Sequence, residues 1–330
     1  MATSDQASAP VLLDLTVDNI TPNTIAISSQ SGNQRLTYLV ERLVTHLHDF
    51  ARETRLSTDE WMSALNFLVQ CGQISSDIRH EFILLSDVLG LSLLVDSINH
   101  PKPPKSTEGS VLGPFHRHDA PILDNGANMS SDPNGESLLC ICTVKDTNGK
   151  PVEGVKIDIW ETDSSGHYDV QRADRDGPAE RGVMMSDAEG RFWFKGILPV
   201  SYPVPHDGPV GRLLKLLKRH PWRPAHVHFM FEKEGWDHLI TALFIRGDPY
   251  EASDAVFGVK KSLVVAPEKI DSATAKEYGV PEGSWILRQD FVLTTQKETD
   301  DLRDELARKA LAKLGLNLKL VDHLPVPDLD

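Results

Sequence analysis

The sequence predicts a mainly β protein, in which a β-sandwich follows a helical unit and precedes a helical extension. Three observations lead to this class. Apolar residues recur at three- and four-residue spacing between positions 34 and 98, as they do on one face of a helix. Pro101, Pro103 and Pro104 then end helical structure. Short apolar runs separated by Gly, Pro and Asp follow to about position 245, which favours a sandwich over a parallel sheet.

These transitions divide the 330 residues into four parts. An N-terminal arm without sustained periodicity is predicted over 1–33, and a helical linker over 34–105. The β-sandwich is predicted over 106–295, and a helical tail over 296–330.

The composition excludes several classes of protein. The chain has 48 acidic and 34 basic residues and a net charge of −14, which disfavours binding to nucleic acid or to an anionic membrane surface. Its three cysteines are too few for a disulfide framework or a four-cysteine zinc site. No apolar stretch reaches the length of about 20 residues that a membrane span needs, and the N-terminus lacks the basic region of a signal peptide. We therefore expect a cytoplasmic protein without membrane insertion.

Helical signals occupy the region before the prolines. The first helix is predicted from Gln34, with its apolar face extending to Phe50. Ser57 and Glu60 have the spacing of a capping box at the start of a second helix. A third helix is predicted without interruption from about Asp77 to Ile98.

Strand signals begin after the prolines. Residues 138–144 form a continuous apolar run, Asn148-Gly149 is typical of a tight turn, and residues 155–160 alternate as a half-buried strand does. Further short strands are predicted at 191–194, 225–231 and 239–245. The last helix is predicted from about Asp300 to Leu314.

One strand carries a candidate metal-binding pair. His226 and His228 are two residues apart within a predicted strand, so their side chains point to the same face and can approach one ion. An isolated pair of this kind is also compatible with two histidines lining a core. His116 and His118 have the same spacing, but they lie in a loop where side-chain direction is not fixed.

Two of the five tyrosines lie in unusual places. Tyr168 follows a turn-rich stretch after a strand, and Tyr202 lies among prolines that favour an extended backbone. Taken singly, each is also compatible with a structural role. Together with the histidines they give the order Tyr…Tyr…Arg-Pro-x-His-x-His, which ends at Arg223-Pro224-Ala225-His226-Val227-His228.

The stretch from Val111 to about Val265 resembles the intradiol ring-cleaving dioxygenases, which are non-haem Fe(III) enzymes that cleave catechols between their hydroxyl groups with O2. The resemblance rests on the following segments: 108–115, 160–168, 202–211, 223–229 and 253–259. Residues 34–98 resemble the N-terminal linker of that family. The resemblance implies one Fe(III) per subunit, with Tyr168, Tyr202, His226 and His228 as ligands. It also implies that Arg223 lies beside the substrate and that Tyr202 and Arg223 are catalytic.

The donor set agrees with the chemistry of the ion. Fe(III) is a hard cation that favours anionic oxygen over thiolate, and a bound cation can hold a tyrosine as phenolate at neutral pH. Two phenolates and one hydroxide balance the three positive charges of the ion. The resemblance implies that Tyr202 leaves the metal when a catechol dianion binds, which leaves this balance unchanged.

A resemblance to one group of members within this family predicts the residues of the substrate pocket. The segment Val111-Leu112-Gly113-Pro114-Phe115 resembles the pocket segment of family members that prefer hydroxyquinol (1,2,4-trihydroxybenzene) to catechol. The same resemblance implies that the pocket is completed by Leu93, Asp96, Val204, Pro205, Arg223 and Val256. Asp96 could accept a hydrogen bond from the third ring hydroxyl. The implied product is 3-hydroxy-cis,cis-muconate, or its tautomer maleylacetate. The alternative is a catechol 1,2-dioxygenase that forms cis,cis-muconate.

The sequence leaves other functions open. A metal-dependent hydrolase could use His226, His228 and a carboxylate such as Glu232 or Asp237, and a transport or adhesion sandwich would hold no metal. The resemblance also breaks at one position, because Ala242 lies where members that cleave simple catechols often carry a glutamine. The hydrogen-bond partner of Arg223 is therefore not identified.

The predicted helices also suggest an assembly. They carry more apolar surface than a helix lying singly on a sandwich needs, which predicts a homodimer through residues 34–98. The family resemblance adds a phospholipid bound in a tunnel there.

Overall fold

The computed structural model describes residues 14–76, 79–172 and 177–328 of the chain. The helices are α1 (Ile20–Ser28), α2 (Gln34–Thr54), α3 (Thr58–Ile74), α4 (Glu81–Val88), α5 (Leu91–Asn99), α6 (Pro209–Leu216), α7 (Ser272–Tyr278) and α8 (Gln296–Leu314). The strands are β1 (Ser137–Asp146), β2 (Lys156–Trp160), β3 (Arg181–Met185), β4 (Arg191–Ile197), β5 (Tyr202–Pro203), β6 (Trp222–Arg223), β7 (His226–Glu232), β8 (Leu239–Ile245), β9 (Val264–Val265), β10 (Glu268–Lys269), β11 (Trp285–Leu293), β12 (Leu318–Val321) and β13 (Leu324–Pro327). The chain divides into two compact units, one formed by residues up to 68 with those from 304, and the other by 69–303.

The first unit is mainly helical. Arg52 on α2 donates hydrogen bonds to the Val17 carbonyl and the Thr21 hydroxyl, at 2.8 and 2.6 Å, and so holds α1 against α2. The predicted arm thus contains a helix that the sequence analysis did not anticipate. At the other end of the chain, β12 and β13 form a hairpin, and Arg35 donates to the Pro325 carbonyl at 2.6 Å. The predicted helical tail therefore ends in two strands.

The second unit is a sandwich of two sheets. Their strand orders are β10-β11-β1-β4 and β3-β2-β7-β8-β9. Aromatic side chains from both sheets meet in the core, where Phe291 of β11 lies 4.6 Å from Phe231 of β7 between ring centroids. Cys140 and Cys142 are fully buried in the same core. The mainly β class with an α-helical N-terminal region is confirmed.

The region before the sandwich departs from the prediction of one continuous helix from Asp77 to Ile98. It forms α4 and α5 instead, because Gly90 adopts a left-handed conformation with φ of 76°. A residue with a side chain rarely adopts that conformation, whereas glycine does so at little cost. The first of the two helices therefore ends before this glycine, and the second begins directly after it.

No helix within the described residues is long and apolar enough to cross a membrane.

Candidate metal centre

The two histidines of β7 lie at the centre of their sheet. The strand is paired with β2 on one side and β8 on the other, and His228 is opposite Trp160 and Ala242. As the alternation of a strand predicts, both rings project to one face, and their Nε2 atoms are 3.0 Å apart. His226 Nδ1 lies 2.7 Å from the Pro224 carbonyl. This contact favours the tautomer with the proton on Nδ1, which leaves Nε2 free to bind a metal.

The surroundings of these rings keep them neutral. Burial, followed by the positive charge of Arg223, lowers the pKa of His226 to about 3. Burial and the neighbouring His226 lower the pKa of His228 well below its ordinary value. The indole of Trp160 stacks on His228, with centroids 4.7 Å apart and planes within 7°. Both imidazoles are therefore in the protonation state that a metal ligand requires.

Two tyrosines bring their hydroxyl groups to the same face. The Tyr168 hydroxyl donates to the Tyr202 hydroxyl at 3.1 Å, and both side chains are buried. Phe115 stacks on the Tyr168 ring with centroids 4.6 Å apart. Burial, and after it the neighbouring Tyr202, raises the pKa of Tyr168 well above its ordinary value. Tyr168 is thus a neutral phenol until a cation compensates its ionisation.

Arg223 completes the cluster. It is paired with Tyr202 across the short β5–β6 ribbon, and its Nη1 lies 3.1 Å from both the Tyr202 hydroxyl and His226 Nε2. On its other side the guanidinium donates to the Asp254 carboxylate. Burial opposes the charge of Arg223, but Asp254 and Tyr202 keep its pKa above the ordinary value. A permanent positive charge therefore lies beside the four potential ligands.

The donor chemistry fits ferric iron. Two phenol oxygens and two imidazole nitrogens meet in a buried site, and the site contains no thiolate. This set suits a hard ion that prefers oxygen and imidazole ligands. Among the described residues, no group of three or more His, Cys, Asp or Glu side chains could hold a metal. Any metal bound by the two histidines would therefore need the tyrosines as well.

The carboxylates proposed for a hydrolase are occupied elsewhere. Glu232 accepts a hydrogen bond from Lys156 at 2.9 Å. Asp237 contacts His100 Nδ1 at 2.8 Å and also accepts from Lys102. Neither carboxylate contacts the two histidines, which argues against a site with two histidines and one carboxylate.

A small cavity lies against this cluster. Its wall is formed by Leu84, Asp87, Val111, Gly113, Pro114, Phe115, Tyr202, Val204, Pro205, Arg223 and Val256. Nine of the predicted site residues are therefore brought together here. Leu112, which was also predicted, is not part of this wall but packs against the aromatic cluster around Tyr168.

The structure does not bring Leu93 and Asp96 to the cavity wall. Both lie on α5, after the break at Gly90, and the Asp96 carboxylate faces Gly109. Leu84 and Asp87 on α4 occupy the wall instead. The two pairs have the same Leu-x-x-Asp spacing, so periodicity alone could not choose between them. The glycine between them was the available signal for the break.

Asp254 is a further residue beside the cluster that the sequence analysis did not identify. It belongs to the segment 253–259 that carried the family resemblance, but nothing in the sequence indicated its partner. The structure supplies that partner, because Asp254 forms the ion pair with Arg223.

Comparisons with known proteins agree with this geometry. The family models "Dioxygenase" and "Catechol dioxygenase N terminus" match residues 111–295 and 33–107. An intradiol ring-cleavage dioxygenase of Aspergillus niger is 66% identical over 97% of this chain and 98% of its own. A hydroxyquinol 1,2-dioxygenase of Rhizobium sp. is 43% identical over 82% of this chain and 92% of its own. The crystal structure of a hydroxyquinol 1,2-dioxygenase from Pseudomonas putida superposes with a TM-score of 0.79 at 40% identity, covering 85% of this chain and 99% of that one.

Proposed function

The chain belongs to the intradiol ring-cleavage dioxygenases, and we propose that it binds one Fe(III) per subunit and cleaves hydroxyquinol with O2. The observation that carries the proposal is the convergence of Tyr168, Tyr202, His226 and His228 in one buried cluster beside Arg223. When bound, Fe(III) makes a coordinated catechol ring reactive toward dioxygen.

The residues around the cavity have distinct roles in this proposal. With iron bound, Tyr202 would be a phenolate, and its oxygen would accept a proton from the incoming substrate and become a hydroxyl. Arg223 Nη1, at 3.1 Å, holds that oxygen in place. Arg223 also stabilises negative charge that develops on the ring, as preorganised donors do for developing anions. Phe115 and Val256 form an apolar part of the wall that excludes water.

Asp87 supports hydroxyquinol as the substrate. Its carboxyl group is buried at the cavity wall with 4% of the residue exposed, and burial raises its pKa. Ser92 is a hydrogen-bond partner of this carboxyl group, and the third hydroxyl of hydroxyquinol would add a second one, whereas catechol has no hydroxyl group to add. A site built to bind a hydroxyl group strongly rejects an analogue that lacks it. The product is then 3-hydroxy-cis,cis-muconate or maleylacetate. Catechol cleavage to cis,cis-muconate is the weaker activity.

A homodimer is the second part of the proposal. Apolar side chains along α2 are exposed in the single chain, namely Leu36, Leu39, Leu43, Leu47 and Phe50. Trp61, Met62 and Leu65 of α3 are exposed as well. Patches of this kind mark interaction surfaces, and we propose that two copies bury them, with a phospholipid filling remaining apolar space. Light scattering should return twice the chain mass of 36.6 kDa. A monomer at micromolar concentration would exclude this assembly.

The cysteines support a reducing compartment, for which we propose the cytoplasm. Cys71, Cys140 and Cys142 are free and buried. Fractionation of cells that express the tagged chain should recover it with cytoplasmic markers, and recovery with an organelle would contradict the assignment.

The decisive experiment combines metal analysis, a visible spectrum and turnover on the purified protein. We expect about one iron per chain, a visible band from tyrosinate-to-iron charge transfer, and a kcat/KM that is higher for hydroxyquinol than for catechol. A colourless zinc protein would favour a hydrolase, and a metal-free protein that binds no catechol would favour a non-enzymatic sandwich. A preference for catechol would overturn the substrate assignment while keeping the family reaction.

A further inference from the structure

We propose that Asp254 is the positioning residue of Arg223. This inference rests on the proposed function, because it assigns a role within the same reaction. It does not depend on which catechol is the preferred substrate.

The geometry of the pair fixes the plane of the guanidinium. Arg223 Nε donates to Asp254 Oδ1 at 3.1 Å, and Nη2 donates to Oδ2 at 3.3 Å. A guanidinium is planar, so two bonds on one edge determine where the remaining nitrogen points. That nitrogen is Nη1, which faces Tyr202 and His226 at 3.1 Å each. The carboxylate therefore aims the donor that meets the reacting groups, without contacting them itself.

Asp254 is itself held in place by the backbone that follows it. Its Oδ1 accepts from the amide of Val256 at 3.2 Å, and its Oδ2 accepts from the amide of Gly258 at 2.9 Å. The Gly258 carbonyl in turn accepts from the Ser110 hydroxyl at 2.8 Å. Because Val256 belongs to the cavity wall, the same carboxylate links the orientation of Arg223 to the position of that wall.

Strand β8 offers no alternative partner. The residues opposite His228 and His226 on that strand are Ala242 and Phe244, and neither side chain can accept a hydrogen bond. Asp87 also lies at the cavity, but among the described residues the hydrogen bonds of the Arg223 side chain go to Asp254, Tyr202 and His226. Both members of the ion pair are buried, with 2% of Arg223 and 6% of Asp254 exposed. Water therefore does not replace a lost bond easily.

Gly258 shows how little free space surrounds the pair. A Cβ atom built on it would lie 3.0 Å from Arg223 Nη2 and 3.1 Å from Asp254 Oδ2. These distances are shorter than ordinary van der Waals contact, so an added methyl group would displace the pair by a few tenths of an ångström. Gly258→Ala therefore perturbs the orientation of Arg223 without removing a charge.

The first test measures turnover and iron content in Asp254→Asn. We expect kcat to fall about 10- to 100-fold, the range found for residues that orient the groups at a metal site. KM and iron content should change less than twofold, because the donor acts on charge that develops during the reaction. Asp237→Asn is the matched control, since Asp237 is equally buried and pairs with Lys102 away from the cavity wall. It should keep the wild-type kcat.

A double variant separates positioning from a merely structural role. If Asp254 acts through Arg223, Asp254→Asn should lower kcat less than twofold further in an Arg223→Gln background. If Asp254→Asn lowers kcat in the Arg223→Gln background by the same factor as in the wild type, the proposal is wrong. It is also wrong if Asp254→Asn alone has the wild-type kcat. If Asp254→Asn does not fold, Gly258→Ala takes its place and should show the same fall in kcat with unchanged KM. An unchanged kcat in a folded Gly258→Ala variant would also overturn the proposal.

A readout on the metal-free protein is independent of turnover. The Nε–H proton of Arg223 can be identified by NMR, because its resonance is absent from Arg223→Gln. This proton should exchange slowly with solvent in the wild type and faster in Asp254→Asn. Equal exchange rates would contradict the anchoring. If the wild type cleaves no catechol at all, the proposed function fails, whereas this exchange measurement still decides whether Asp254 holds Arg223.

Discussion

The two walls of the cavity are held in place in different ways. The strand wall is formed by Tyr202 and Arg223, next to the two histidines of β7. Strand β7 is paired with a neighbouring strand on both edges. The Arg223 guanidinium is hydrogen-bonded to a carboxylate, a phenol and an imidazole. The helical wall is α4, a helix of eight residues that ends just before Gly90. Glu81, its first residue, accepts from the amide of Val210 at 3.0 Å, and the carbonyl of Val88, its last residue, accepts from Arg219 at 2.7 Å. The strand wall thus carries the potential ligands within a network of buried hydrogen bonds. The helical wall is held at the two ends of α4 and contributes Asp87, which we propose selects the substrate.

The largest expected effect comes from breaking the strand wall at its ligands. Tyr168→Phe or His226→Ala removes a donor from the four-residue cluster, so iron binding and the visible band should be lost together with activity. Metal analysis and absorbance of the purified variants measure this directly. Tyr250→Phe is the control, because Tyr250 stacks on Trp222 outside the cavity wall. Full iron and colour in both ligand variants would show that the ligand assignment is wrong.

A more selective change separates two roles on the same wall. Tyr202→Phe should keep iron, because Tyr202 is the ligand expected to leave when the substrate binds, so that the other three donors hold the ion without it. It should lose most of its activity, because no phenolate oxygen is left to accept a proton from the substrate. The visible band should shift rather than disappear, as only one of the two phenolates is removed. An active Tyr202→Phe variant would contradict the role of this hydroxyl.

The helical wall is tested by its carboxyl group. Asp87→Asn should lower kcat/KM for hydroxyquinol more than kcat/KM for catechol. The ratio of these two values should fall by about tenfold, because an unmade buried hydrogen bond costs about 1–3 kcal/mol. Iron content should stay at the wild-type level. Asp96→Asn is the matched control, since it changes the same residue type at the same spacing after the break at Gly90. Equal losses on both substrates in Asp87→Asn would leave the selective role without support.

The same contrast explains what the sequence could and could not predict. In a strand, side chains alternate with a period of two, so His226 and His228 had to share a face once the strand was recognised. The helical region offered two Leu-x-x-Asp pairs at equivalent positions, and the choice depended on where the helix breaks. Gly90 was visible in the sequence, but only tertiary packing determines whether a glycine interrupts a helix or continues it. The partner of Arg223 was also inaccessible, because Asp254 is 31 positions away in the chain.

The smallest expected effect concerns the break between the two helices. Gly90→Ala places a side chain at φ of 76°, where an L-residue is strained, and should lower the free energy of unfolding by about 1 kcal/mol. Gly235→Ala is the control, because Gly235 has a φ of 80° and open space around its Cβ position. We expect similar losses of stability in denaturant titrations of the two variants. The added Cβ at position 90 would lie 3.5 Å from the Phe257 ring, an ordinary contact that adds no clash.

The two glycine variants should nevertheless differ in substrate preference. The strain at position 90 acts at the end of α4, three residues from Asp87, whereas position 235 lies in a turn whose residues are absent from the cavity wall. The ratio of kcat/KM for hydroxyquinol to that for catechol should therefore fall modestly in Gly90→Ala and stay constant in Gly235→Ala, with iron content unchanged in both. If Gly90→Ala keeps the wild-type ratio despite its loss of stability, the position of Asp87 does not depend on the helix break. The helical wall would then be as rigid as the strand wall.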